Sequence, residues 1–323
     1  MKTSKIIIWS IISIVFSSCS TTNYRFITHV DRDGSCRREI HSGDSFGLLP
    51  YDLSSGWEIS DTMISKKFYS VDELSTGLDR DKIFPTPKEA LKKRFRWFYT
   101  YYAFTAVYPE IKEKGSVPME KYLNKAERKF FFQGDSSDYC GMNGIQLKEK
   151  LDDIETRATK WYTRSLYEEY FAVVLHYAKA DFQSKLLAVK DTLYSIHEKE
   201  MNALSSFNDV CTILDKHFST VYFSDLYVEN GQEMDNMCEE RTKVINELVN
   251  YDIRYELTLP GKIIASNAYL QDNGTLAWEI DMFKFLADDF TLTAESRAVN
   301  VWAFVVTLLL VVFSVYCFCR YFR

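Results

Sequence analysis

The chain is poor in residues that interrupt regular structure and in those that many enzymes use for chemistry. It contains 12 Gly and 6 Pro among 323 residues, which is too few for a disordered or low-complexity chain. Five histidines are scattered along it and no Gly-x-Ser-x-Gly motif occurs, so neither a metal centre nor a serine-hydrolase elbow is indicated. The net charge of −6 disfavours the basic face that nucleic-acid binding needs. We therefore expect a folded, non-enzymatic protein with no cofactor and no nucleic-acid partner.

A second absence lies near the C-terminus, where Val299 to Cys319 contains no charged residue. About 20 apolar residues are enough to cross the hydrocarbon core of a bilayer as one helix. The sequence thus predicts a transmembrane helix over residues 298–319. Arg320 and Arg323 follow it, and positive residues favour a cytoplasmic tail at 320–323.

The N-terminus carries the pattern of a secretory signal. Lys2 and Lys5 precede the apolar run Ile6 to Phe16, which predicts a signal peptide over residues 1–18. The ending Phe-Ser-Ser-Cys resembles a bacterial lipobox, so we expect Cys19 to be lipidated. Two attachments would hold the body on the extracytoplasmic side of the cell inner (cytoplasmic) membrane, with membrane lipid as a partner.

Four cysteines fall in the body that would be exported. Cys36, Cys140, Cys211 and Cys238 could form disulfides in an oxidising compartment, in any of three pairings. Buried free thiols are the alternative, because cysteine is common in apolar cores.

Strand-forming residues dominate both ends of the body. Alternating or β-branched runs predict strands near residues 24–30, 35–41, 57–59, 63–71, 253–259, 276–280 and 290–294. Thr86, Pro87 and Glu89 have the spacing of a capping box and predict the start of a short helix. The run from Phe95 to Tyr108 is so rich in aromatic residues that it predicts one long strand.

The middle of the body has helical periodicity. Apolar residues spaced three and four apart predict a long helix over Ile145 to Lys179, and three further helices follow before residue 251. Ser206 and Asp209 are placed as a capping box for one of them. A shorter helix is expected from Pro118 to Phe132, ending at Gly134.

Together these patterns predict an α+β fold in which an antiparallel sheet is built from both ends of the chain. We expect a membrane-proximal β-rich domain over residues 19–109 and 251–297, with a helical insertion over 110–250 and the C-terminal transmembrane helix after it.

Aromatic side chains near residue 100 are the candidate binding site. Trp97, Tyr99, Tyr101 and Tyr102 could contact lipid or glycan, because Tyr and Trp present an apolar body with a polar tip. The alternative is an ordinary core strand.

Short segments near both ends of the body resemble a known group of proteins. They are Asp33-Gly34-Ser35, Leu259-Pro260-Gly261-Lys262, Asn267-Ala268 and Trp278. In these the chain resembles the extracytoplasmic membrane-anchored lipoproteins of the LppM type and their Bacteroidetes relatives. The resemblance implies placement in the cell envelope, possession of a lipidated N-terminus and a C-terminal span, and lipid handling. It carries no catalytic residues.

Two functions remain open from the sequence. The first is a non-enzymatic envelope lipoprotein, anchored at both ends, whose helical insertion binds an unknown envelope protein as an interaction or scaffold module. The alternative is a lipid- or glycolipid-binding module that uses the aromatic strand 95–108.

Overall fold

A computed structural model describes residues 22–42, 51, 54, 56–76, 86–111, 116–197 and 206–322. The chain forms two compact units. The β unit comprises Thr22–Glu110, Tyr251–Asp281 and Asp289–Arg323, and the helical unit contains Ile111–Asn250 and Met282–Asp288.

The prediction of an α+β fold is confirmed, since the described ranges contain six α-helices and two β-sheets. The strands are β1 (Thr22–Val30), β2 (Cys36–Ser42), β3 (Glu58–Ile59), β4 (Met63–Phe68), β5 (Lys88–Phe95), β6 (Tyr99–Tyr108), β7 (Tyr251–Thr258), β8 (Lys262–Ser266), β9 (Leu270–Asp272), β10 (Thr275–Asp281) and β11 (Phe290–Val299). The helices are α1 (Lys125–Arg128), α2 (Gly144–Tyr177), α3 (Ala180–Ile196), α4 (Phe207–Phe218), α5 (Tyr222–Asn250) and α6 (Val301–Tyr321).

The larger sheet joins the two ends of the chain, as the sequence predicted. Its seven strands lie in the order β3-β4-β2-β1-β7-β10-β9. The first hairpin, β1–β2, turns through Gly34 at φ +102°, a conformation that favours glycine. Phe26 of β1 lies beside Tyr255 of β7 in a parallel pair, whereas the other pairs of the sheet are antiparallel. The pairing of both chain ends is thus confirmed, with one parallel contact that the sequence did not indicate.

The remaining strands form a second sheet in the order β5-β6-β11-β8. It packs on the larger sheet, and Phe104 of β6 lies 6.2 Å from Tyr255 of β7, measured between ring centroids. On β6, Thr100 and every second residue to Tyr108 are buried, while Tyr99, Tyr101 and their successors on the same side form the outer face. The β unit is therefore a two-layer sandwich rather than a single sheet.

The predicted helix at Thr86 is wrong, because Lys88–Phe95 is strand β5. It pairs with β6 along its whole length, and this pairing places Glu89 in the core against Arg38. A helix cap contributes about 0.5–2 kcal/mol locally, so pairing along a whole strand overrides it.

The aromatic run 95–108 is interrupted by a tight turn. The backbones of Arg96 and Tyr99 bond to each other in both directions, N to O, at 2.7 and 3.2 Å. Trp97 and Phe98 form the two-residue tip of a hairpin between β5 and β6. The strand prediction is confirmed for Tyr99–Tyr108 only.

The helical unit follows the periodicity of the sequence closely. Helix α2 begins with an Asn143 capping box, and α4 begins with the predicted box of Ser206 and Asp209. A π-turn over Lys129–Gln133 extends α1 and ends at Gly134, which has φ +74°. Helices α2, α3, α4 and α5 bury one shared core of mainly apolar residues, among them Phe171, Val174, Leu186, Leu214 and Phe223.

Candidate functional site

The β unit has one end, here called the membrane end, at which strand β11 continues into helix α6. Strand β11 stops at Val299, and after Asn300 the chain continues as α6, a helix of 21 residues that contains an 18-residue window of mean hydropathy 2.5. At 1.5 Å per residue the helix is about 31 Å long, which matches the hydrocarbon core of a bilayer. Helix α6 is thus long and apolar enough to cross a membrane.

Asn300 ties the start of this helix to the β5–β6 hairpin. Its side-chain Nδ2 donates to the carbonyl oxygens of Arg96 and Trp97 at 2.9 and 3.2 Å. Its Oδ1 accepts from Thr100 Oγ1 at 3.0 Å, and its backbone N–H donates to the Phe98 carbonyl at 2.9 Å. One side chain and one amide therefore satisfy the backbone of the turn and fix it against the helix.

Aromatic side chains extend this contact along the helix. Trp97 Nε1 donates to Thr307 Oγ1 at 2.9 Å, and Thr307 lies six residues, or about 9 Å, beyond the first residue of α6. The Trp302 ring packs on Trp97 at 5.2 Å and on Phe95 at 6.3 Å, both between centroids. The hairpin tip consequently reaches past the end of the sheet, beside the first two turns of α6.

These aromatic side chains are nevertheless about half exposed on the surface of the structure. Phe95, Trp97 and Trp302 are 57%, 46% and 51% exposed. Large rings left exposed beside an apolar helix form a surface suited to lipid, because indole rings favour the membrane–water interface and the phenyl ring of Phe95 is apolar.

The structure separates the four aromatic residues that were predicted as one site. Trp97 lies at the hairpin tip, Tyr99 packs on Phe304 of α6 at 6.3 Å, and Tyr101 lies on the outer face of β6. Tyr102 faces the core at 2% exposure, and its hydroxyl donates to the Arg32 carbonyl at 2.7 Å. Because neighbouring residues of a strand point to opposite faces, Tyr102 does not share the surface of the other three.

Sequence reasoning missed Asn300, Trp302 and Phe304 as members of this site. All three border or begin the apolar run, where only length and hydropathy were considered. A polar residue between a strand and a span, followed by Trp, is a signal that could have identified them.

A cluster of arginine, glutamate and tyrosine side chains lies inside the sandwich. Arg38 and Glu89 form an ion pair at 2.6 Å, and both side chains are 0% exposed. Arg38 also donates to Thr28 Oγ1 and to the hydroxyls of Tyr51 and Tyr255, at 2.9, 3.0 and 2.7 Å. The Tyr255 hydroxyl in turn donates to Glu89 at 2.6 Å.

Burial and charge act in opposite directions on this cluster. Burial alone lowers the pKa of the Arg38 guanidinium, but attraction to Glu89 and the tyrosines outweighs it and holds that pKa above its usual value. Burial raises the pKa of Tyr51 to about 12. Since solvent does not reach Arg38 or Glu89, the cluster serves the core and not a dissolved substrate.

A cleft of about 550 Å³ lies at the other end of the larger sheet, lined in part by Arg25, Arg254 and Glu279. Arg25 and Arg254 both donate to Glu256, which lowers the pKa of that carboxyl through hydrogen bonds and charge. Glu256 thus offsets the charge of one of the two arginines.

The four cysteines of the body carry no disulfide in the structure. Cys36, Cys211 and Cys238 are buried free thiols and Cys140 is an exposed one. Cys36 belongs to the β unit and the other three to the helical unit. Burial raises the pKa of Cys36, Cys211 and Cys238 to about 12 and keeps these thiols protonated. The predicted lipidation site, Cys19, lies outside the described residues.

Comparisons with known proteins assign no family. No protein-family model matches the chain, and no curated protein matches it significantly. A solved structure with some similarity is the NMR structure of the folded domain of the Mycobacterium tuberculosis LppM protein, with 8% identity and a TM-score of 0.27 over 87% of this chain and 92% of that one. Values this low support no conclusion about fold, family or function.

Proposed function

We propose that the chain is a non-enzymatic membrane-anchored protein whose β unit rests on the bilayer and binds lipid through the tip of the β5–β6 hairpin. The observation that carries this proposal is the Trp97–Thr307 hydrogen bond. If α6 crosses a membrane, a hairpin tip bonded to its second turn must lie in the same lipid interface.

The energetics of the tip favour such contact. Removing apolar surface from water contributes about 25 cal/mol per Å², so aromatic rings that are half exposed gain on entering lipid. Backbone groups in lipid need internal partners, and Asn300 supplies them to the carbonyls of Arg96 and Trp97. These two carbonyl groups can therefore leave water for lipid without losing their hydrogen bonds.

Envelope placement and orientation remain part of the proposal. Arg320 and Arg323 favour a cytoplasmic tail, which would put the β unit on the extracytoplasmic side.

The proposed second anchor, lipidated Cys19, limits how the β unit can be oriented on the membrane. Thr22 pairs with Tyr251 at the end of β1 that is remote from the membrane end, about 23 Å along the strand from His29 and Thr258. The three residue steps from Cys19 to Thr22 span at most about 11 Å. Both anchors can enter one bilayer only if the β unit lies steeply tilted on it.

The interaction-scaffold function expected from the sequence depends on the helical unit. Exposed apolar side chains there include Leu187, Val221 and Val228, but single exposed apolar residues are normal on protein surfaces. Specific hydrogen bonds hold the hairpin tip beside α6, so lipid contact is the function proposed first.

Fluorescence quenching by brominated lipid tests the proposal. The full chain would be placed in phosphatidylcholine vesicles whose acyl chains carry bromine either near the carbonyl or near the bilayer centre. The difference between wild type and Trp97→Phe isolates the Trp97 signal. We expect stronger quenching of that signal by the shallow bromines than by the deep ones.

Trp57 provides the matched control, because it packs on Tyr51 in the sandwich, 5.2 Å between centroids. The Trp57→Phe difference signal should be insensitive to either bromine position. A Trp97 signal as insensitive as that of Trp57 would refute lipid contact by the hairpin.

A further inference from the structure

We infer that the outer face of the four-stranded sheet binds the headgroups of anionic phospholipids through a row of cations beside the bilayer. This inference rests on the proposed function, because it requires the membrane end to lie at a lipid surface. The basic row consists of Arg94, Arg297 and Lys262, with Tyr101 among them.

The strand register places these residues side by side. Tyr101 of β6 pairs with Arg94 of β5 on one side and with Arg297 of β11 on the other. Arg297 pairs in turn with Lys262 of β8. One level of the sheet thus carries a cation on each of three strands, and the fourth strand contributes the tyrosine.

Aromatic rings orient the two guanidinium groups. The Arg94 guanidinium lies 5.5 Å from the Tyr101 ring centroid, and that of Arg297 lies 4.6 Å from the Tyr99 ring. A planar guanidinium held over a ring keeps its N–H groups at the edge, where they can bond a phosphate in pairs.

The height of the row matches the headgroup layer. Arg297 precedes Val299 by two residues, so the row lies at most about 7 Å outward from the end of β11. The polar layer of a bilayer is about 6 Å thick on each side of the hydrocarbon core. Phosphate groups therefore lie within reach of the row when α6 spans the membrane.

Among the residues that the structure describes, a single ion pair offsets the charge of the row. The carboxylate paired with it is that of Glu295, 3.4 Å from Arg94, whose side chain is 63% exposed. Arg96 adds a fourth exposed cation one level nearer to α6. A local positive excess in a chain of net charge −6 is complementary to an anionic surface.

Lipid selectivity measured on the full chain tests the inference. Spin-labelled phosphatidylglycerol and phosphatidylcholine would be compared by electron paramagnetic resonance in phosphatidylcholine vesicles, reading the fraction of each label immobilised at the protein. We expect wild type to prefer phosphatidylglycerol by roughly two- to fivefold, since exposed cations beside the bilayer attract an anionic headgroup more strongly than a zwitterionic one. The double variant Arg94→Gln, Lys262→Gln should clearly lower this preference, with Arg297 and Arg96 retaining part of it.

A matched control removes the same charge elsewhere. Lys88 lies on the same face of β5, six residues from Arg94 and about 20 Å along the strand. Lys148 is exposed in the helical unit. The variant Lys88→Gln, Lys148→Gln should keep the preference of wild type.

The outcomes separate this inference from the proposed function. No preference in wild type, or equal preference in wild type and the basic-row variant, would overturn headgroup binding. Trp97 quenching in neutral vesicles would still stand in that case and preserve the proposed function. An unquenched Trp97 would remove the proposed function whatever the selectivity.

Discussion

Two clusters of arginine and tyrosine lie on opposite faces of the four-stranded sheet. The inner cluster surrounds Arg38 in the core, and the outer cluster is the basic row with Tyr99 and Tyr101. They are alike in composition but differ in burial and in hydrogen bonding. In the inner cluster Arg38 lies 5.1 Å from the Tyr255 ring centroid. In the outer one Arg297 lies 4.6 Å from the Tyr99 ring. The ring contacts alone therefore do not distinguish a core element from a binding surface.

The two clusters differ in how many hydrogen-bond and ion-pair partners each guanidinium group has. The inner guanidinium has a carboxylate, a threonine and two tyrosine hydroxyls within 3.0 Å, and solvent does not reach it. Arg94 in the outer cluster has one long contact with Glu295 and remains largely exposed. A buried guanidinium with four partners indicates a structural role, whereas an exposed one with a single long contact leaves donors for a ligand.

Removing the counter-ion of the inner cluster should lower the stability of the protein more than any other substitution discussed below. Glu89→Gln leaves the Arg38 charge buried without its counter-ion, which typically costs about 3–5 kcal/mol. We expect the free energy of unfolding of the β unit to fall by that amount in chemical denaturation of the detergent-solubilised chain. Arg94→Gln, the same kind of change in the outer cluster, should cost less than about 1 kcal/mol.

The double variant Arg38→Met, Glu89→Met sharpens this test. Replacing both charges by apolar groups of similar size avoids an unpaired buried ion, so stability should recover much of the loss. Equal stability of Glu89→Gln and Arg94→Gln would show that burial does not separate the two clusters.

Much of the fold could be predicted from the sequence, because periodic patterns record local burial. The stripe of α2, the capping box at Ser206 and the apolar run of α6 each depend on neighbours within a few residues. The pairing of β1 with β7 was expected from the strand character of both chain ends.

The site could be predicted only in part, since it depends on register. The aromatic run near residue 100 was recognised, but the turn at Trp97 and Phe98 was not, because neither Gly nor Asn marks it. The row of Arg94, Arg297 and Lys262 joins three strands that are distant in sequence, so no local pattern contains it. Glu89 was assigned to a helix cap for the same reason.

A third ionic cluster, in the helical unit, should show an intermediate effect that depends on pH. Glu127 is 6% exposed and accepts bonds from Arg157 and Lys150. Bonding from Arg157, above all, lowers the pKa of this carboxyl to about 2. A folded-state pKa below the unfolded one stabilises the protein above pH 4.5, and this contribution is lost as the pH falls towards 2.

Glu127→Gln should lower the stability of the helical unit at neutral pH by up to about 3 kcal/mol and remove this part of the acid sensitivity. Circular dichroism melts between pH 2 and 7 would measure both. Glu155 has the opposite sign, because burial raises the pKa of its carboxyl. Acid sensitivity that persists in Glu127→Gln and disappears in Glu155→Gln would contradict the assignment.

The smallest effect should come from single hydroxyls on the two faces of β6. Tyr102→Phe removes the bond from the buried hydroxyl to the Arg32 carbonyl, which should cost about 1 kcal/mol of stability. Tyr101→Phe keeps the ring beneath Arg94 on the outer face and should change stability by less than about 0.5 kcal/mol.

Because Tyr102 faces the core, loss of its hydroxyl should leave Trp97 quenching and the preference for phosphatidylglycerol unchanged. Comparing the two variants by denaturation and by lipid selectivity tests the division of the faces directly. A Tyr102→Phe variant that kept full stability but lost lipid selectivity would place Tyr102 at the lipid surface, and the distinction between inner and outer clusters would then fail at that position.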